Sequence, residues 1–122
     1  MDNEPGVVVP IQFLMEQQGY RVLVAERGED ALDLICQYKP DLVILEIMLP
    51  GIDGYEVCEI VRSHPNFRDV KIMFLSAKGR EVDIAKGLAL GADAYITKPF
   101  SNTGLVAKVK EVIEKTHEVA EE

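Results

Sequence analysis

Three polar side chains each follow an apolar run, and together they could hold or carry an anionic group. Glu46 closes Asp-Leu-Val-Ile-Leu-Glu, Ser76 closes Val-Lys-Ile-Met-Phe-Leu-Ser, and Lys98 stands between Ala-Asp-Ala-Tyr-Ile-Thr and Pro99. A carboxylate can accept a transferred group or act as a fixed negative charge, a hydroxyl can donate to it, and an ammonium can neutralise it. Each residue alone also has a plain reading, as a helix cap, a loop hydroxyl or a surface lysine. At the ends of successive apolar runs they converge on one edge. In open α/β sheets, ligands bind outside the carboxyl ends of the strands.

The elements that must position these side chains alternate between strand and helix. Leu42 to Leu45 are apolar on both faces, as in a parallel strand covered by helices on each side, and Pro50, Gly51 and Gly54 supply the loop after it. The pattern predicts strands at Arg21–Ala25, Asp41–Glu46, Val70–Leu75 and Ala94–Thr97. It predicts helices at Gly28–Tyr38, Gly54–Arg62, Arg80–Leu90 and from Ser101 to about Glu118, with Pro40, Pro65 and Gly91 as stops. Such alternation implies βαβ units, right-handed crossovers and a parallel sheet.

At 122 residues and 13.6 kDa the chain reads as a single domain, residues 1–122, with no output domain. A net charge of −8 argues against binding nucleic acid or an anionic membrane surface, both of which select for Lys and Arg. The start, Met-Asp-Asn-Glu-Pro, has no apolar export core, and no run approaches the length of a membrane span. A cytoplasmic protein is expected. Cys36 and Cys58 read as reduced core thiols, His64 and His117 as solvated, and Asp53 and Asp93 as turn residues. The stretch from Glu111 to Glu122 reads as an exposed helical face and tail.

Four stretches in register carry a family resemblance. They are Asp-Asn-Glu-Pro near the start, Pro-Asp-Leu-Val-Ile-Leu-Glu-Ile-Met-Leu-Pro-Gly-Ile-Asp-Gly, Phe-Leu-Ser-Ala-Lys-Gly, and Gly-Ala-Asp-Ala-Tyr-Ile-Thr-Lys-Pro-Phe. Their order and spacing span nearly the whole chain. The chain resembles a response-regulator receiver domain of two-component signalling, of the chemotaxis-type single-domain kind. The resemblance implies a flavodoxin-like, doubly wound parallel sheet of strand order 2-1-3-4-5. It also implies a phosphoacceptor at position 46, a hydroxyl at Ser76 and a lysine at Lys98 that contact phosphoryl oxygens, and a switching aromatic at Tyr95. A cis peptide is implied at Lys98-Pro99, and an Mg²⁺ pair at Asp2 and Asn3. Implied partners are a sensor histidine kinase or a downstream protein, with homodimer pairing through the fourth helix, fifth strand and fifth helix.

Two departures from the family shape the expectations. The acceptor position holds Glu46 where the family has aspartate. One extra methylene displaces the carboxylate by roughly 1 Å, and a misplacement of that size can cost about 100-fold in a transfer that rests on positioning. The same methylene carries negative charge towards the space of a phosphoryl group, so Glu46 can mimic the phosphorylated state. Asn3 replaces one metal carboxylate and weakens Mg²⁺ binding.

The second departure is the first strand, which is central in the family, whereas only Met1 precedes Asp2 here. Its slot is expected to be filled by Val7–Val9 as a substitute strand before a helix Ile11–Gln18, by a second chain, or by closure of the second strand onto the third. In the family register Val7–Val9 instead open a helix that begins near Gly6. The functional expectation is a receiver-type signalling module, not an enzyme, with Glu46 mimicking phosphorylation. The alternative is a degenerate receiver acting only through protein contacts.

Overall fold

A computed structural model describes the backbone of residues 5–49 and 51–121 and the side chains of residues 8–49 and 51–114. Helix α1 spans Pro5–Gln17 and α2 spans Gly28–Tyr38; β1 (Leu42–Leu45) and α3 (Gly54–Ser63) follow. Then come β2 (Lys71–Ser76), α4 (Glu81–Ala89), β3 (Ala94–Thr97) and α5 (Asn102–Glu121). The strands form a parallel sheet in the order β1-β2-β3, with Leu45 beside Phe74 and Ser76 beside Thr97. This is the helix-flanked α/β architecture anticipated from the alternation, represented by three strands.

Successive side chains on a strand point to opposite faces, and both faces here are buried. Val43, Leu45, Ile72 and Phe74 join Ile35, Val57 and Val61 in one cluster, on the side of α2 and α3. Met73 and Ala94 join Met15, Leu105, Val109 and Val112 in the other, on the side of α1 and α5. Double coverage explains why the strands read as unbroken apolar runs.

Val8 and Val9 lie in α1, so the substitute strand does not form. The spacing of Val8, Ile11, Gln12 and Met15 gives the reason. Residues at i, i+3, i+4 and i+7 share one helical face, and all four line a single cavity against the sheet. Pro10 sits within the first turns, as the sixth residue of α1.

The predicted strand Arg21–Ala25 is also absent: among the described residues the segment is not part of the sheet. A strand is defined by its neighbour, and no strand lies beside this segment among the described residues. Tyr20 and Val22 still pack against the α1–α5 cluster and Ala25 is buried, while Leu23 and Val24 are each 39% exposed. Closure of this segment onto β1 therefore does not occur. Between the two lies a cavity of about 400 Å³.

Three smaller readings are corrected by packing. Cys36 is exposed and only Cys58 is buried, where burial pushes its thiol pKa up. The ring of His64 is stacked on Phe67 at 3.9 Å, and its Nδ1 accepts from the Asn66 amide. Asp93 is an anchor: it pairs with Arg62 at 2.8 Å and accepts from the Ile72 amide. Arg62 also donates to the carbonyls of Gly91, Arg68 and Val70, tying the end of α3 to the starts of β2 and β3. Asp53 caps α3 through the Glu56 amide. The His117 side chain lies outside the described residues.

At Gly54 the loop after β1 turns back on itself, its amide donating to the Ile47 carbonyl at 2.7 Å. A Cβ there would lie 2.3 Å from the Glu46 carbonyl oxygen and 2.8 Å from Ile47 Cα, both backbone atoms. Gly54→Ala is therefore expected to destabilise the fold by about 1–3 kcal/mol, read as a lower urea midpoint at an unchanged slope. An unchanged midpoint would show that the loop yields freely.

Candidate functional site

Parallel pairing brings the carboxyl ends of β1, β2 and β3 to one edge, and with them Glu46, Ser76 and Lys98. Glu46 is 6% exposed. Its Oε1 accepts from the amide of Ile47 at 2.9 Å, the amide of Met48 at 3.3 Å and the hydroxyl of Ser76 at 2.9 Å. Its Oε2 lies 2.8 Å from Lys98 Nζ. That contact is ionic, and among the described residues Oε2 has no directed hydrogen bond. Two backbone amides, a hydroxyl and an ammonium thus surround one carboxylate, which is an anion site built on a turn.

Ser76 is 1% exposed and its Oγ also accepts from the Lys78 amide at 3.2 Å. The Lys98 amide donates to the Ser76 carbonyl at 2.9 Å, so strand pairing continues to the site's edge. The Lys98-Pro99 bond is cis. Tyr95 lies on β3 with its ring 5.9 Å from that of Phe74, and its hydroxyl donates to the Lys78 carbonyl. Burial pushes the Tyr95 phenol up to about 12, opposed by hydrogen bonding with Ser76 and assisted by the charges of Asp83 and Glu46.

Asp2 and Asn3 lie outside the described residues. Among the described residues no cluster of three acidic, His or Cys side chains could hold a metal. Glu46 is the carboxylate nearest the chemistry, and both of its oxygens are engaged, one by three donors and one by an ammonium. Among the described residues, a hard cation such as Mg²⁺ at this carboxylate would have to displace Lys98 or one of the donors on Glu46.

The backbone donors of Ile47 and Met48 and the double role of Lys78 were not anticipated. They act through the main chain, so their side chains carry no sequence signal. Met48 is 67% exposed beside Glu46, an apolar residue on the site's rim.

A model of the response regulator receiver domain family matches residues 1–110. A putative response regulator from Chloroflexus aurantiacus is 36% identical, with 93% of each chain covered and a TM-score of 0.89. The beryllofluoride-activated N-terminal receiver domain of RstA from Klebsiella pneumoniae is 30% identical, covering 92% of this chain and 93% of its own, with a TM-score of 0.85. The receiver domain of a sensor histidine kinase from Pseudomonas aeruginosa, which holds a magnesium ion in its active-site cleft, is 26% identical with 93% of each chain covered and a TM-score of 0.85. The chain belongs to the response regulator receiver family, the signalling modules of two-component phosphorelay systems. Its sheet is the flavodoxin-like sheet of that family. Among the described residues, no helix is long and apolar enough to cross a membrane.

Two outcomes are expected of this geometry. The side chains of Glu46 and Lys98 are 7% and 15% exposed, so Lys98→Ala strands a buried carboxylate and is expected to cost about 3–5 kcal/mol in urea unfolding. Adding Glu46→Gln should recover most of that loss, since the amide oxygen still accepts from Ile47, Met48 and Ser76; no recovery would mean that the pair is not what Lys98 stabilises. For Tyr95 the folded pKa lies above the ordinary value of 10, so the fold favours the neutral phenol. Its contribution is complete below pH 10 and is lost as pH rises towards 12. Stability of the wild type should fall more steeply across that window than stability of Tyr95→Phe, and parallel curves would contradict the assignment.

Proposed function

We propose that the chain is a receiver module held in an active-like arrangement by Glu46, which takes the part of a phosphorylated aspartate. The observation that carries this reading is the pair of contacts on one carboxylate, Ser76 Oγ at 2.9 Å and Lys98 Nζ at 2.8 Å. These are the hydroxyl and the ammonium that the family directs at a phosphoryl group. The mimic is partial, since a carboxylate carries one charge where a phosphoryl group carries roughly two. Tyr95 supports the reading because its ring packs against Phe74 and its hydroxyl is tied to Lys78, the inward arrangement that accompanies an engaged hydroxyl.

As an acceptor Glu46 is poorly suited. Its carboxylate is neutralised by Lys98 and displaced by a methylene, and Asn3 offers an amide where the family offers a second metal carboxylate. Signal therefore passes by contact with a protein partner and not by phosphate. That partner is a sensor histidine kinase or a downstream protein. The face formed by α4, β3 and α5 suits such a contact, since Val82 is 63% and Leu88 46% exposed on α4. The same exposure favours the second reading, a degenerate receiver that works only by pairing through this face, as with a second copy.

Incubation with acetyl phosphate and Mg²⁺, followed by intact-mass measurement, tests the acceptor. The wild type is expected to gain no phosphoryl group, and Glu46→Asp to gain one in part of the population. Stoichiometric labelling of the wild type would refute the proposal.

A further inference from the structure

Glycine in the interior of a helix is disfavoured against alanine, so a buried one needs a reason. Gly87 lies inside α4 and is buried. Its backbone is helical, and among the described glycines positive φ is confined to Gly19, Gly51 and Gly91. Backbone conformation therefore does not call for glycine at position 87. The reason is space. A Cβ on Gly87 would lie 3.0 Å from Phe74 Cδ2, 3.1 Å from Tyr95 Cδ2 and 3.2 Å from Phe74 Cε2. All three are closer than the separation of about 3.5–4.0 Å at which carbon atoms attract one another best.

The missing methyl group falls where two rings meet. Tyr55, Phe74 and Tyr95 form a row against α4, with centroids 5.6 Å apart in the first pair and 5.9 Å in the second. A methyl group at position 87 would have to move the helix, Phe74 or Tyr95. The helix is held at both ends. Near its start the Tyr55 hydroxyl donates to the Asp83 carbonyl and the Lys86 ammonium lies 4.4 Å from the centre of the Tyr55 ring. Just past its end, Arg62 Nε donates to the Gly91 carbonyl at 2.8 Å. Phe74 is 0% exposed and stands between the other two rings, so it has no open space to enter. Tyr95 is only partly buried, and its ring can leave towards solvent by giving up the hydroxyl bond to the Lys78 carbonyl.

We propose that Gly87 is the positioning residue for Tyr95: its bare Cα makes the room in which the ring sits inward, and one methyl group at that position turns the ring outward. The place of Tyr95 is then set from two sides, by the turn that carries Lys78 and by α4. This inference stands on the contacts between ring and helix, independently of Glu46 as a phosphate mimic.

Proton NMR of Gly87→Ala, with Glu46 unchanged, tests the proposal. Cross-peaks between the Tyr95 and Phe74 rings are expected to fall several-fold or vanish, while those between Tyr55 and Phe74 keep their strength. The Tyr95 phenol, which burial pushes up to about 12, should then titrate closer to its ordinary value of 10. Retention of both ring contacts would show that α4 gives way, and loss of both that Phe74 moves; either result would overturn the proposal. A urea series separates the ring from helix propensity. Gly87→Ala should raise the unfolding midpoint in a Tyr95→Ala background, where the methyl group meets vacated space, and should raise it less, or lower it, beside the intact ring. An equal change in the two backgrounds would mean that methyl group and ring do not compete, and would overturn it too.

Discussion

A carboxylate and an ammonium that have both left water hold the carboxyl edge of this sheet together. Taking either charge out of solvent alone is costly, and the cost is offset only where each meets a counter-charge and its remaining lone pairs find donors. Glu46 meets Lys98 through one oxygen and three donors through the other. The donors come from the turn after β1 and from the end of β2, and the ammonium from the residue after β3. All three strands must end at the same height for the arrangement to exist, and the pairing of Leu45 with Phe74 and of Ser76 with Thr97 places them so. Slippage of one residue would turn Ser76 to the opposite face and leave Glu46 without a hydroxyl.

From that pair the remaining features of the site follow. Ser76 is drawn to Glu46 as donor while it accepts from Lys78, which fixes the turn after β2. The Lys78 carbonyl then receives the Tyr95 hydroxyl, and the Tyr95 ring covers Phe74. A short chain of hydrogen bonds thus connects Glu46 to an aromatic ring two strands away. The cavity beside β1 is lined in part by the same residue, Glu46.

Much of this was legible in the chain. Apolar runs covered on both faces, helices with one apolar stripe, and the edge positions of Glu46, Ser76 and Lys98 followed from periodicity, whereas Tyr95 came from the family resemblance. Two features were not legible. Val7–Val9 carry strand propensity, but the i, i+3, i+7 placement of Val8, Ile11 and Met15 against the sheet wins, because tertiary burial outweighs local preference. Arg21–Ala25 has the composition of a strand without a neighbour to pair with among the described residues, and pairing is not a property of the segment itself. Asp93 looked like a turn residue because its partner Arg62 lies 31 positions away, a separation that local patterns do not report.

On the proposed reading, the charge of Glu46 holds Tyr95 in its inward place. Proton NMR contacts between the Tyr95 ring and the Phe74 ring, whose centroids lie 5.9 Å apart, report that place directly in solution. Strong cross-peaks are expected in the wild type, with their loss or marked weakening in Glu46→Ala, where the Ser76 and Lys98 contacts to the Glu46 carboxylate are gone. Cross-peaks of equal strength in the two proteins would show that Tyr95 is simply a packed ring, and would contradict the account.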